Sequence, residues 1–200
     1  PWWTERGIVA IERGSRDQTL VMVGEDGAST PLATVLGPTT LVATPDGARV
    51  AVQSLRDEVN GISAVYQAIP TLASNRVVVV DTSDGDHTNA SEGPVLAFFW
   101  SPNGERLLVL DIVSGPMARW SIWSAEEGSV EAVRFEPDPS FLRDMVPFFD
   151  QYAQSMSLWA PDGSAFAFPG TIDGDTGIWV QRIDGELTRV SGGTWVSWSP

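Results

Sequence analysis

The sequence predicts an all-β protein built from repeated four-stranded antiparallel units, and three observations carry the prediction. A turn motif recurs, a tryptophan stands ahead of most of its copies, and glycine (19) and proline (14) punctuate the 200-residue chain often. The copies are Val42-Ala43-Thr44-Pro45-Asp46-Gly47, Phe99-Trp100-Ser101-Pro102-Asn103-Gly104 and Leu158-Trp159-Ala160-Pro161-Asp162-Gly163. A fourth begins at Trp198-Ser199-Pro200. The prolines stand 57, 59 and 39 residues apart, and the last interval is the natural length of about 40 residues for a four-stranded repeat. The two longer intervals then hold insertions of about 18 to 20 residues each.

Each copy has a physical logic. A short apolar strand enters, Pro fixes φ for the first turn position, Asp or Asn bonds its own backbone, and Gly takes the left-handed corner. A second strand follows at 48–52, 107–110 and 164–168. A third is expected at 19–23, 77–81, 120–123 and 177–181, closed by turns such as Glu25-Asp26-Gly27 and Ile183-Asp184-Gly185. A fourth falls at 31–33, 130–135 and 187–190. The innermost strand carries a large flat side chain able to wedge between neighbouring units, so Trp100, Trp159, Trp179 and Trp198 are the expected structural wedges. A sandwich has no reason to repeat this motif in register, so the fold class is a β-propeller of four-stranded antiparallel blades with one short helical insertion.

With strands lettered a to d from the hub outward, the chain is expected to open with b, c and d and to close on a lone a strand at 194–198. Three full blades lie between these partial sets. Residues 1–200 then form one propeller, either a fragment of a ring of about six to eight blades or a four-bladed ring closed by the two ends. The fragment is favoured.

The copies Trp198-Ser199-Pro200 and Trp100-Ser101-Pro102-Asn103-Gly104, with Ile178-Trp179-Val180 ahead of Asp184-Gly185, resemble the TolB-type, WD-repeat-like propeller repeat over nearly the whole chain. The first copy departs from it, with Ala43 in the tryptophan position. The stretch Pro147-Phe148-Phe149-Asp150-Gln151-Tyr152-Ala153, running into Trp159-Ala160-Pro161-Asp162, is similar to a subgroup of bacterial TolB-like proteins of uncharacterised activity. The resemblance implies the fold and imports no activity.

The insertions say where a ligand would go. Residues 55–75 lie between strands b and c of one blade, and residues 137–155 between d of one blade and a of the next. In a four-stranded meander these connections emerge at the same end, so both insertions are expected to crowd one face, and long loops on a rigid scaffold usually carry binding. The second reads as a short helix. Asp138-Pro139-Ser140 starts it, Phe141, Met145, Phe148 and Tyr152 fall near helical spacing, and Pro147 kinks it. Its aromatics either cap the hub, or Phe149, Asp150, Gln151 and Tyr152 line the mouth of the channel and touch a ligand.

Composition bounds the partners. The net charge is −14, and all twelve basic residues are arginine. An acidic chain repels phosphate backbones and anionic lipid, so nucleic acid and membrane surfaces are poor partners. Lysine-free, arginine-containing composition is a habit of GC-rich bacterial coding, and halophily gives the same acidic balance. With no cysteine, neither a disulfide framework nor a thiolate metal site can form, and such a chain suits the periplasm, the exterior or the cytoplasm. No apolar run approaches the roughly 20 residues of a membrane span. The start, Pro1-Trp2-Trp3, reads as a cut end.

Candidate chemistry is sparse. His87 is the only histidine and stands in a polar turn. No nucleophile elbow or phosphate-cradling glycine loop occurs. The acidic turns at Asp81, Asp84 and Asp86, and at Asp173 and Asp175, lack the spacing of a calcium loop, so no metal and no cofactor are expected. Residues 171–175 superficially suggest a sialidase Asp-box, but Asp175 stands where glycine is required. The expected function is therefore a non-catalytic scaffold binding a protein, peptide or glycan at the insertion-bearing face. The alternative is the propeller portion of a prolyl-oligopeptidase-like serine peptidase whose hydrolase domain lies outside this chain.

Overall fold

The computed structural model describes residues 1–14, 18–35, 39–54, 71–72, 76–91, 94–152 and 156–198. The chain divides into two compact units, Pro1–Glu92 and Gly93–Pro200.

The first unit begins with strands β1 (Trp2–Thr4), β2 (Gly7–Arg13), β3 (Gln18–Val23) and β4 (Ser29–Val35), each antiparallel to the next. This corrects the expected opening. The first set is not limited to b, c and d, because β1 supplies its a strand, with Trp2 opposite Val9. No Pro-Asp-Gly marks this copy, since a tight Thr4-Glu5-Arg6-Gly7 turn closes the hairpin, with Thr4 Oγ1 donating to Gly7 O at 3.0 Å. The second set is β5 (Thr39–Ala43), β6 (Arg49–Ser54), β8 (Val77–Asp81) and β9 (His87–Asn89). Of the 55–75 insertion only β7 (Thr71–Leu72) is described, running parallel to the end of β4. The rest of that expectation lies outside the described residues. Alternation along the strands buries Val9, Leu20, Ala33, Val50, Val52, Val78 and Val80 in one core, with Trp2 and Leu41 packed against it.

The second unit holds a seven-stranded sheet: β10 (Val95–Trp100), β11 (Arg106–Ser114), β12 (Met117–Ser124), β13 (Gly128–Pro137), β14 (Ala165–Ile172), β15 (Asp175–Arg182) and β16 (Leu187–Ser191). Two expected blades are joined here because β13 outruns β12. Its last residues pair instead with β14, Glu136 opposite Thr171 and Pro137 opposite Gly170. Only glycine fits at 170, where a Cβ would lie 2.5 Å from the Phe135 ring and 2.7 Å from Glu136 O.

The a strand expected ahead of β14 shrinks to a bridge between Trp159 and Phe166. Ala160 N donates to Ala165 O and Ala167 N to Leu158 O, but the next position on that edge is Pro169, which has no N–H to carry the ladder on. The lone a strand expected at 194–198 is likewise not formed. Those residues have no strand partner among the described residues, and only the Trp198 side chain is anchored.

The turn motif closes as its chemistry requires. Gly47, Gly104 and Gly163 all have φ +70° and donate to the carbonyls of Thr44, Ser101 and Ala160. Asp46, Asn103 and Asp162 accept from the amides of Ala48, Glu105 and Ser164 at 3.0, 3.2 and 2.9 Å. The result is a fixed register. Ala43 faces Val50, Trp100 faces Leu107 and Trp159 faces Phe166, always seven residues on.

That register aims the tryptophans. Trp159 is buried and its Nε1 donates to Phe99 O at 3.0 Å, while Trp198 Nε1 donates to Leu158 O at 2.7 Å. In both cases the acceptor is the residue just ahead of the preceding motif's tryptophan. Trp179 is buried by a different route, on β15, with Nε1 donating to Gly170 O at 3.2 Å.

Two predictions follow from the turn and the indole. Trp159→Ala should cost about 3–5 kcal/mol in urea denaturation, whereas Trp159→Phe, which keeps most of the ring and loses one hydrogen bond, should cost about 1–2 kcal/mol. Turn carboxylates should set the acid limit. Burial opposes ionisation of Asp46, but the Thr44 hydroxyl, the Ala48 amide, Arg6 and Arg49 outweigh it and hold its pKa below the ordinary value. The Ser164 amide and hydroxyl depress Asp162 in the same sense. A depressed folded-state pKa gives stability that is present above the unfolded value, about 4, and is lost as pH falls below it. Thermal melts should therefore fall steeply below about pH 4, and Asp46→Asn with Asp162→Asn, copying the natural Asn103, should flatten that slope.

Candidate functional site

The second insertion folds as the sequence reading expects. Asp138 caps helix α1 (Pro139–Asp144), its carboxylate accepting from the Ser140 amide at 2.8 Å and from the Ser140 hydroxyl, and Pro139 takes the first turn where no N–H is needed. Pro147 lies within a 3-10 turn, Val146–Phe148, that ends the first helix and leads into α2 (Phe149–Tyr152). Two rings nail this segment to the sheet. Phe141 is buried edge-on to Trp120, with centroids 6.4 Å apart, and Phe149 meets Phe98 at 4.9 Å and Phe99 at 5.8 Å.

The four candidate ligand residues therefore separate. Phe149 is buried beneath the segment rather than lining an open mouth. Asp150 is half-buried and Gln151 exposed, on the single turn of α2. Tyr152 ends that turn, and its side chain lies outside the described residues. The large apolar groups that do face solvent are Leu142 and Phe148, on the segment itself. The β11–β12 hairpin adds Ile112 and Val113, since its tip emerges at the same end of the sheet as the β13 connection.

Beneath the segment lies an aromatic cage. Trp120 is fully buried, stacked on Phe135 (9° between planes, 6.1 Å) and met by Phe99, Phe166 and Phe168 as well as Phe141. Its Nε1 has no hydrogen-bond partner among the described residues, and neither does Nε1 of Trp123, which lies edge-on to Trp100 at 6.1 Å. Trp100 itself is buried.

A charged ladder crosses the three strands beside this end, and sequence reading missed it. Arg119 on β12 forks onto Asp111 of β11, Nε to Oδ1 at 3.1 Å and Nη2 to Oδ2 at 2.5 Å, and reaches Glu131 of β13 at 3.5 Å. Glu131 also accepts from Arg134 at 2.8 Å. Asp111 is buried, and its hydrogen bond to Arg119 holds the guanidinium well above its ordinary pKa. Arg134, then Arg119, lowers Glu131. The only sequence signal for this ladder was an Asp and an Arg eight residues apart on either side of a Ser-Gly-Pro turn. His87 is exposed on β9. Among the described residues no three His, Asp or Glu side chains converge as metal ligands would. No described helix is long and apolar enough to cross a membrane.

Consecutive four-stranded antiparallel sets, tied by tryptophans on their innermost strands, define the chain as a β-propeller fold. No family model matches the chain, and no curated protein sequence is similar to it. Solved structures are. TolB from Acinetobacter baumannii superposes with a TM-score of 0.50 at 16% identity, over 90% of this chain and 40% of its own. An oligogalacturonate lyase in complex with manganese gives 0.53 at 15%, over 88% and 42%. The β-propeller domain of the Trilobed protease from Pyrococcus furiosus gives 0.50 at 16%, over 90% and 52%. The chain thus has the fold of a TolB-like propeller and spans about half the length of the solved structures it matches.

The ladder yields a stability prediction. Arg119→Met strands a buried carboxylate and should cost about 3–5 kcal/mol, while the double variant Asp111→Leu, Arg119→Met should recover most of that loss. A double-mutant cycle in urea measures both.

Proposed function

We propose that the chain is a non-catalytic propeller portion that binds a protein, peptide or glycan at the end carrying the helical insertion. The observation that supports this best is the division of labour in residues 137–152. Phe141 and Phe149 are spent on anchoring, which leaves Leu142 and Phe148 exposed on a rigidly held segment beside Ile112 and Val113. Exposed apolar groups clustered on a fixed loop are characteristic of recognition surfaces. Asp150 and Gln151 supply the polar contacts that would orient a ligand there. The charged groups nearby are spent on one another, for the Arg119 fork is taken by Asp111 and Glu131. Residues 1–200 are read as one propeller portion of a larger ring, because each superposition runs over at least 88% of this chain but at most 52% of the solved one.

A second reading is favoured by one observation, the superposition on the propeller domain of a protease. In that reading the blades accompany a separate hydrolase domain. The complete reading frame decides: a neighbouring α/β domain with a Gly-x-Ser-x-Gly elbow would replace the scaffold reading with the peptidase one.

The binding face is tested with peptide and glycan arrays, followed by titration of whatever ligand they give. Leu142→Ser, Phe148→Ser and Asp150→Ala should each weaken binding about tenfold, or about 1.4 kcal/mol, with thermal melts unchanged. Phe149→Ala should instead cost about 3–5 kcal/mol of stability. Unaltered binding in all three surface variants would sink the assignment.

A further inference from the structure

We propose that Trp2 is the open half of a blade-to-blade latch, and that its indole N–H takes a main-chain carbonyl from the innermost strand of a second copy of this chain. The two latches in the second unit define the rule. Trp159 Nε1 donates to Phe99 O, and Trp198 Nε1 donates to Leu158 O. Each donor belongs to one turn motif, and each acceptor immediately precedes the tryptophan of the motif before it.

Trp2 occupies the same position by register. It faces Val9 seven residues on, as Trp100 faces Leu107 and Trp159 faces Phe166. It is the tryptophan of the first motif, so no motif within the chain precedes it. Its Nε1 is buried and has no hydrogen-bond partner among the described residues. A buried unpaired donor is costly, and in this series the position has a defined use. Trp120 and Trp123 also carry unpaired indole N–H groups, but they lie on β12, a third strand, where no latch forms.

The complementary half stands at the other end of the series. The carbonyl one residue ahead of Trp198, that of Ser197, is the next acceptor by the same rule, and no hydrogen bond to it occurs among the described residues. A chain with a donor at its first motif and an acceptor at its last is suited to head-to-tail association with its own kind. The matched propellers require about twice the length of this chain, which a second copy supplies. This inference does not rest on the binding face proposed above.

The test is sedimentation equilibrium of the 200-residue chain from about 1 to 200 μM, a range that detects micromolar association. The expected result is a reversible dimer, weakened about tenfold by Trp2→Phe, which keeps an aromatic ring and removes the donor. Trp3→Phe, at the exposed neighbouring residue, should leave the dimer unchanged. The Trp2 indole resonance, assigned by its loss in Trp2→Phe, should move downfield and gain exchange protection as concentration rises. A monomer throughout the range overturns the proposal, as does a dimer indifferent to Trp2→Phe. Protection of the Trp2 indole in a monomer would assign the carbonyl to the same chain, and overturns it too.

Discussion

The seven-residue register imposed by each turn is the constraint on which the rest of this structure depends. Pro, Asp or Asn, and a left-handed Gly bring the first two strands of a set together at one offset. In a strand, a slip of one residue sends every side chain to the opposite face. With the offset fixed, the tryptophan ahead of the turn always projects the same way, and its N–H meets a carbonyl of the preceding set. Polar pairing at the tip and apolar packing between sets are thus two outcomes of one local choice. Glu5 and Arg6 show that the offset tolerates other residues, since β1 and β2 keep it without Pro, Asp or Gly at those places.

Most of the strand framework was legible because it is local. Turn chemistry located the ends of β5, β10, β14 and their partners to within a few residues, and alternation chose their buried faces. The capped helix at Asp138-Pro139-Ser140 was equally plain, since its signals lie within one turn. What escaped reading was long-range or atypical. The opening strand β1 was hidden because its turn carries none of the usual residues. The merging of two sets through Glu136 and Pro137 depends on Gly170, some thirty residues on, and no local pattern announces it.

The candidate site divides in the same way. That residues 137–155 form the distinctive surface could be read from the interrupted repeat. Which of their aromatics point inward could not, because a two-turn segment with a Pro kink has no single helical phase. The sheet decided it: Phe98, Phe99 and Trp120 offer an apolar floor that takes Phe141 and Phe149 and leaves Leu142 and Phe148 outside. The Asp111–Arg119 pair was equally hidden, since each residue taken singly reads as a surface charge.

Strand β13 carries one last implication. Its first part is hydrogen-bonded to β12 and its final two residues to β14, so neither flanking set can open without disturbing the other. Phe135, at the crossover, stacks on Trp120 on one side and touches Phe168 at 4.6 Å on the other. Repeat proteins commonly lose structure one module at a time, because each module's boundary is a seam. Here the seam is sewn by a shared strand, which makes residues 95–191 a single cooperative block in amide exchange, with the helical segment riding on its stitching.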